Sequence, residues 1–507
     1  MKGFHLCFSL PLCLRDLCEK FLPVLIIPLV LAGCAEKNSS VKNGLSPEFF
    51  ERKIEGEISV SAFNYPQYKE YLESAATLFE EIYPGTKVTI EPFSVMPRTM
   101  TFDEGTSFSY YTEEESNHQT HTDYINRLNT KIMSGAGADI IATDIIPLGK
   151  FINGGAFEDL EPYMKADPEF NYSDYRQNIF EASRYRDSKG NDGIWYLPMD
   201  YCFLAYSYNS KLVPPHLASG LGINAAVSTE DLFAIGIPLF DGSYRILNGY
   251  EEGKNSSNLF ALIFEENYHN FVDYKTGRVN FTDGRFSELL VKAIDWTRRG
   301  YIPPPFADQL ESEKMRDDYN QGTFFFKQGG IINLMFNFLD DTNPRVMRYY
   351  LEYINRDEKI AGIRANTDGS VPYSNLFGFG INSMSKNKAV SWAFIKFLLS
   401  KESQVSQDIF RATLPVNNEA RMENYNTVYL DVYKLPFDTL NEKQRKGLED
   451  YIAAIESLSD LINGNLIWDT NIFSVVYENV RYYIDGTRTA DEVARIIQSK
   501  VDLYLSE

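Results

Sequence analysis

Residues 57–93 constrain the fold more than any other stretch of this chain. Segment 57–63 (EISVSAF) alternates, with Ile58, Val60 and Ala62 on one face, which is the period of a strand. Residues 66–83 then place apolar side chains at Tyr68, Tyr71, Leu72, Ala75, Phe79 and Ile82, a helical spacing. Pro84-Gly85 stops the helix, and 87–93 (KVTIEPF) reads as strand again. Strand–helix–strand in this order predicts a parallel pair joined by a right-handed crossover. The same grammar recurs downstream. A helix around 124–133 leads through Gly135-Ala136-Gly137-Ala138 into a short buried strand at 139–143. Residues 389–400 form an amphipathic helix with Val390, Ala393, Phe394, Phe397 and Leu398 on one side. The C-terminal stretch 489–505 opens with Thr489 and Glu492 in capping-box spacing and carries a stripe of Val493, Ile496, Ile497 and Val501. Repeated alternation of this kind predicts an α/β class. Residues 94–122 read as a long polar loop.

At 507 residues the chain is long enough for two or three structural units. Its formal net charge of -21 argues against a nucleic-acid backbone as partner, because such binding needs clustered Lys and Arg. The 33 Tyr and 35 Phe leave two readings open, a Tyr/Phe-rich core or a carbohydrate-facing surface. No cysteine spacing resembles a zinc or iron–sulfur site. Cys7, Cys13, Cys18 and Cys34 all belong to the N-terminal segment, which leaves Cys202 alone, so no internal disulfide framework is expected.

The N-terminus reads as an address. Lys2, Arg15 and Lys20 precede an apolar run at 21–32 (FLPVLIIPLVLA), about 12 residues where a spanning helix needs roughly 20. Pro23 and Pro28 weaken a helix further. A charged start and a short apolar core fit a secretory signal, which would remove Cys7, Cys13 and Cys18. Leu31-Ala32-Gly33-Cys34 resembles the lipobox of bacterial lipoproteins, which implies cleavage before Cys34 and a lipid on its sulfur. Acyl chains would hold the protein at a membrane surface. Residues 1–33 are thus expected to be a signal, and 34–56 a lipidated Cys followed by a polar tether.

Seven ordered segments then resemble the family 1 extracellular solute-binding proteins, the group of maltose- and oligosaccharide-binding proteins. They are FEEIYPGTKV at 79–88, IMSGAGADII at 132–141, GGAFEDL at 154–160, GIWYLP at 193–198, YSYN at 206–209, WAFIKFLLSKES at 392–403 and LPV at 414–416. Ala138 replaces the family's usual Pro, and the "P-x-T-W-x-E" helix start is only faintly present as STEDL at 228–232. The resemblance implies a type II periplasmic-binding-protein-like fold of two α/β lobes with hinge strands and a central cleft. It places lobe 1 at 57–200 with a returning segment at 376–425, and lobe 2 at 201–375 with C-terminal helices at 426–507. It implies a monomer that captures a small solute, a sugar in the first instance, and hands it to ABC permease subunits. No cofactor and no catalytic group is required.

Sugar clefts combine aromatic faces with Asp, Asn and Arg groups that satisfy hydroxyls otherwise costly to bury. By local motif, the resemblance nominates Asn64 and Tyr65 after the first strand, Asp144 after the 139–143 strand, and Tyr201 at the first hinge. It adds Asn337 and Phe338 after a strand at 329–335, and Trp468, Asp469 and Phe473 ahead of the helix end at 481–486. His118 and His121 are spaced H-x-x-H, but this is not the i, i+4 pair of a zinc protease, and no metal site is expected. The rival class is a surface glycosidase, which would need two carboxylates flanking a sugar. No nucleophile elbow or phosphate-cradling glycine loop is present. Two further possibilities stay open: a sensor or adhesin on the same fold, and a polyol, peptide or glycerophosphodiester in place of the sugar.

Overall fold

A computed structural model describes residues 45, 47–63, 66–93, 98–101, 107–110, 117–248, 258–303, 324–339, 357–405, 413–433, 436–466 and 469–506. Two five-stranded sheets organise them. Numbered in chain order, the first contains β1 (Gly56–Phe63), β2 (Thr86–Phe93), β3 (Ile140–Ala142), β4 (Leu197–Pro198) and, returning late, a strand at Gly378–Ile381. The second contains β5 (Ala205–Asn209), β6 (Ala226–Val227), β7 (Arg245–Leu247), β8 (Phe324–Gly329) and β9 (Glu358–Arg364); the returning strand is therefore β10. The first sheet runs β2-β1-β3-β10-β4 and the second β6-β9-β5-β8-β7.

The crossover expected from 57–93 is present. β1 pairs in parallel with β2, from Gly56 opposite Thr86 to Phe63 opposite Phe93, and the helix between them spans Pro66–Ile82. Its stripe of Tyr68, Tyr71, Leu72, Ala75 and Phe79 is buried, whereas Ile82, in the last turn, is 56% exposed. Phe79 meets Phe394 of the helix Lys388–Leu398 edge to face at 5.1 Å. The Thr489–Glu492 capping box forms at the start of the helix Ala490–Ser506. Residues 94–122 are not simply a loop. Arg98–Thr101 pairs antiparallel with Ser107–Tyr110, and a helix begins at Asn117, ahead of the expected 124.

Two large apolar cores form around the sheets, the first of which also takes Ala205, Ile360 and Ile363 from the second sheet, and a smaller cluster surrounds Phe63, Ile141 and Phe151. The first gathers the side chains around β1, β3 and β10, and the second those around β5, β7 and β8. The packing divides the stretch that the sequence grouped with the second lobe. Leu448, Tyr451, Ile455 and Leu458 of the helix Glu442–Asp460 join the first core, while Ile472, Phe473, Val476 and Val480 of the helix Thr470–Ile484 join the second. The expected tether also ends earlier than position 56. Leu45, Phe49, Phe50 and Ile54 pack on the first core, with Phe49 5.6 Å from the ring of Tyr163.

The chain passes between the two sheets at 199–204 and 365–377, and a third passage through 461–466 leads from the helix Glu442–Asp460 of the first core toward the helix Thr470–Ile484 of the second. Short pairings tie these passages together. Cys202 and Ser374 exchange backbone hydrogen bonds of 2.7 and 2.9 Å. Pro372–Tyr373 pairs in parallel with Gly464–Asn465, and Asp200–Tyr201 pairs antiparallel with Leu414–Pro415. Two-residue ribbons and a single bridge store little pairing energy, so they are suited to serve as the hinge of a two-lobed protein.

Candidate functional site

The carboxyl ends of strands are where open α/β sheets bind ligands, and β3 ends at such a place. Its residues are fully buried, and the Thr143 N–H donates to the Gly378 carbonyl of β10 at 2.9 Å. The loop that follows opens a cavity of about 260 Å³ lined by Thr143, Asp144, Ile146, Leu148, Tyr196, Ser374, Asn375, Asn465 and Leu466. Four of these nine residues belong to the second and third passages between the sheets. The site is therefore built on the hinge.

Its walls are held from behind. Asn465 Nδ2 donates to the Tyr196 hydroxyl at 3.0 Å, Tyr196 meets Tyr373 at 3.1 Å, and Tyr373 meets Ser183 at 2.6 Å. Ser183 Oγ in turn donates to the Ile179 carbonyl. With a donor-only amide N–H at one end and an acceptor-only carbonyl at the other, the protons run one way: Asn465 to Tyr196 to Tyr373 to Ser183 to Ile179. Asp200, with no exposed surface, accepts from the backbone N–H of Phe377 at 2.8 Å and of Leu376 at 3.3 Å. It thereby fixes the turn that presents Ser374 and Asn375. Gly378 supplies the tight floor: a Cβ there would lie 2.5 Å from Thr143 Oγ1, 2.9 Å from Tyr196 Cδ2 and 3.0 Å from Asn375 Nδ2.

Among the described residues, Asp144 Oδ1 and Thr143 Oγ1 are buried without a hydrogen-bond partner. Buried polar groups are rarely left so. Burial pushes the Asp144 carboxyl up to about 7, against the pull of the Asp144 and Ile145 backbone N–H groups, and the Asp200 charge adds to the rise. Asp200 is likewise raised to about 7 by burial, against the Phe377 and Leu376 N–H groups. Burial also lifts the Cys202 thiol to about 11, so it stays protonated beside Ser374.

Of the nine nominated residues, Asp144 lines this cavity. Tyr201 sits in the first core, its hydroxyl bonded to Ser459 Oγ at 3.3 Å. Asp469 is fully buried, caps the helix Thr470–Ile484 and accepts from the Tyr274 hydroxyl at 2.8 Å. Phe473 stacks on Tyr268 in the second core. The strand expected at 329–335 is corrected: β8 ends at Gly329, and Ile331–Met335 is a helical turn whose start is closed by Asn333 Oδ1 accepting from the Gly330 N–H. Phe338 consequently packs beside Tyr451, and the Asn337 amide nitrogen is buried without a partner among the described residues. Asn64, Tyr65 and Trp468, and the lipidation residue Cys34, lie outside the described residues. Tyr196, Ser374, Asn375 and Asn465 were not nominated; only Tyr196 carried a signal, inside GIWYLP at 193–198.

Among the described residues there is no group of three or more His, Cys, Asp or Glu that could hold a metal, and no helix long and apolar enough to cross a membrane.

Residues 115–427 match the family of bacterial extracellular solute-binding proteins. The fold is similar to an extracellular solute-binding protein of family 1 from Alicyclobacillus acidocaldarius, with a TM-score of 0.51 and 13% identity over 90% of this chain and 100% of that one. It is also similar, at a TM-score of 0.47 and 16% identity over 89% and 99% of the two chains, to an ABC substrate-binding protein from Listeria monocytogenes in complex with cycloalternan. A cyclic alpha-maltosyl-1,6-maltose binding protein from Arthrobacter globiformis gives 0.48 and 12% over 89% and 99%. With its two α/β lobes and a polar cavity on the hinge, this chain belongs to the bacterial extracellular solute-binding proteins, the capture components of ABC transporters.

Proposed function

We propose that the protein captures a carbohydrate of one or a few sugar rings in the hinge cavity and delivers it to a membrane permease, while held to the cell surface by a lipid on Cys34. The observation that carries this reading is the chemistry of the cavity wall. It combines a carboxyl (Asp144), two amides (Asn375, Asn465), two hydroxyls (Thr143, Ser374) and one aromatic ring (Tyr196). Such a set matches a solute dense in hydroxyls with apolar C–H surface between them. Each buried sugar hydroxyl needs a partner, and Asp144 Oδ1 and Thr143 Oγ1 have that capacity unused. None of the nine lining residues is basic. A glycerophosphodiester or another anion would meet the Asp144 carboxyl with no counter-charge in this wall, and is disfavoured. The proposed role is binding and release without turnover, and closure of the lobes on the solute is its working step.

The test is a thermal-shift screen with mono- and oligosaccharides, with polyols and peptides as controls, followed by titration calorimetry of any hit. Binding to the native state raises the melting temperature in proportion to ln(1 + [L]/Kd). A concentration-dependent rise with a sugar that is recovered unaltered supports the proposal. A rise with a peptide or polyol alone overturns the choice of solute, and consumption of the sugar overturns the absence of catalysis.

A further inference from the structure

The cavity wall does not end at Leu148. The helix Leu148–Asn153 continues it, and this helix reaches across to the second lobe. Asn153 Nδ2 donates to the Tyr274 carbonyl at 2.5 Å. Lys150 Nζ donates to the Tyr504 carbonyl at 3.0 Å and lies 4.3 Å from the centre of the Tyr504 ring. Gly149, buried between them, faces the root of the Tyr274 side chain; a Cβ there would come within 2.8 Å of Tyr274 Cγ and 3.1 Å of its Cβ. Thr122 of the helix Asn117–Met133 adds a bond to Asn471 Oδ1 at 3.2 Å. On one side are residues next to the first sheet, and on the other are the hairpin at Val272–Val279 and the two C-terminal helices of the second core.

Tyr274 and Tyr504 are themselves anchored. The Tyr274 hydroxyl bonds both Tyr268 and the buried Asp469, and Tyr504 Oη accepts from Asn471 Nδ2. The contact therefore engages anchored groups of the second lobe and is not a pair of loose surface side chains. The same ten-residue stretch offers Asp144 to the cavity with its first half and grips the second lobe with its second half.

We propose that Gly149, Lys150 and Asn153 are positioning residues for solute capture: they latch the second lobe onto the wall of the cavity and so set the equilibrium between closed and open lobes. None of the three is among the residues that line the cavity, and Gly149 adjoins the lining residue Leu148. Loss of the latch shifts the lobes toward the open form, and a solute then has to supply the closure free energy by itself.

The experiment is hydrogen–deuterium exchange by mass spectrometry on the full-length protein, with no sugar added. In the double variant K150A/N153A, peptides covering 372–377 and 464–466, on the hinge and outside the substituted helix, are expected to exchange roughly tenfold faster, as a unit that opens together does. The conservative variant K150R keeps the wild-type protection. Acceleration confined to 147–155 and 270–280 would show a passive contact and overturn the proposal. G149L, the steric counterpart, is expected to give the same spread of exchange as K150A/N153A; if it fails to fold, every peptide exchanges at once and the double variant decides. The inference rests on the hinge cavity being the solute site, but its readout needs no solute. A wrong choice of sugar leaves it standing, and a silent hinge sinks it whatever the sugar.

Discussion

The Asn465 side-chain amide donates to the Tyr196 hydroxyl across 3.0 Å, and this single bond ties the third passage between the lobes to the wall that carries β4. It is the first link of the proton-ordered chain that ends on the Ile179 carbonyl. Tyr196→Phe removes the first two links and strands both neighbours: Asn465 loses its acceptor and the Tyr373 hydroxyl loses a donor. The expected cost is about 1–3 kcal/mol, the range for a buried polar group left unpaired, read from the urea midpoint at constant slope. A solute that shifts the wild-type melting temperature should shift this variant less. An unaltered midpoint would mean that the chain of hydroxyls carries no stability.

Asp144 and Asp200 set a pH dependence whose sign follows from burial. Both carboxyls are raised from 3.8 to about 7 in the folded protein. Between those values the native state holds protons that the unfolded state has released, so stability falls as pH rises from about 4 and reaches its full deficit above about 7. Asp144→Asn mimics the protonated form, with its Nδ2 in the place of the unpartnered oxygen. It should be more stable than wild type at pH 8, and the difference should vanish by pH 4. Chemical denaturation at the two pH values checks this, and a gap of equal size at both would refute the assignment.

How much of this was legible beforehand depends on range. The crossover at 57–93 and the helix at 388–398 were visible because their signal is a period of two or 3.6 within one element. Asp144 was nominated for a related reason, since it directly follows a buried strand, and it lines the cavity. Tyr201 was nominated at the first hinge and Asp469 ahead of a helix end, and both side chains are buried in contacts within the protein. Their partners, Ser459 and Tyr274, lie 258 and 195 residues away, where no local pattern reaches. Ser374 and Asn465 were missed because a single bridge and a two-residue ribbon have no period to read. The boundary at 426–507 failed because the helices Glu442–Asp460 and Thr470–Ile484 are alike in amphipathic pattern, and only packing assigns one to each core.

Gly378 is expected to be irreplaceable. Its φ is ordinary, so the constraint is space alone: the Cβ of an alanine would sit 2.5 Å from Thr143 Oγ1 and 3.0 Å from Asn375 Nδ2. Gly378→Ala must push apart β3 and the turn at 374–377. Overpacking of this kind costs about 1–3 kcal/mol, and here it also reshapes the cavity. The variant should remain folded by circular dichroism, melt lower and lose its response to any solute that wild type binds. Retention of that response would place the solute elsewhere.

The second lobe buries a charged pair, Glu266 and Arg364. Glu266 has no exposed surface and gathers Arg364 Nε at 3.1 Å, the Thr229 N–H at 2.9 Å, and the hydroxyls of Thr229 and Tyr206 at 2.8 and 3.1 Å. Burial raises its carboxyl, and the Arg364 guanidinium opposes that rise. Arg364 also holds Glu265 at 3.0 Å. Replacing the cation alone, Arg364→Met, leaves Glu266 uncompensated and should cost about 3–5 kcal/mol at neutral pH. Adding Glu266→Gln to it removes the orphaned charge and should restore much of that loss, because a neutral amide still serves Thr229 and Tyr206. The double-mutant cycle, measured by urea unfolding, separates the two accounts. A double variant no more stable than Arg364→Met would mean that Arg364 acts by packing, and that the charge it faces is already neutral in the folded protein.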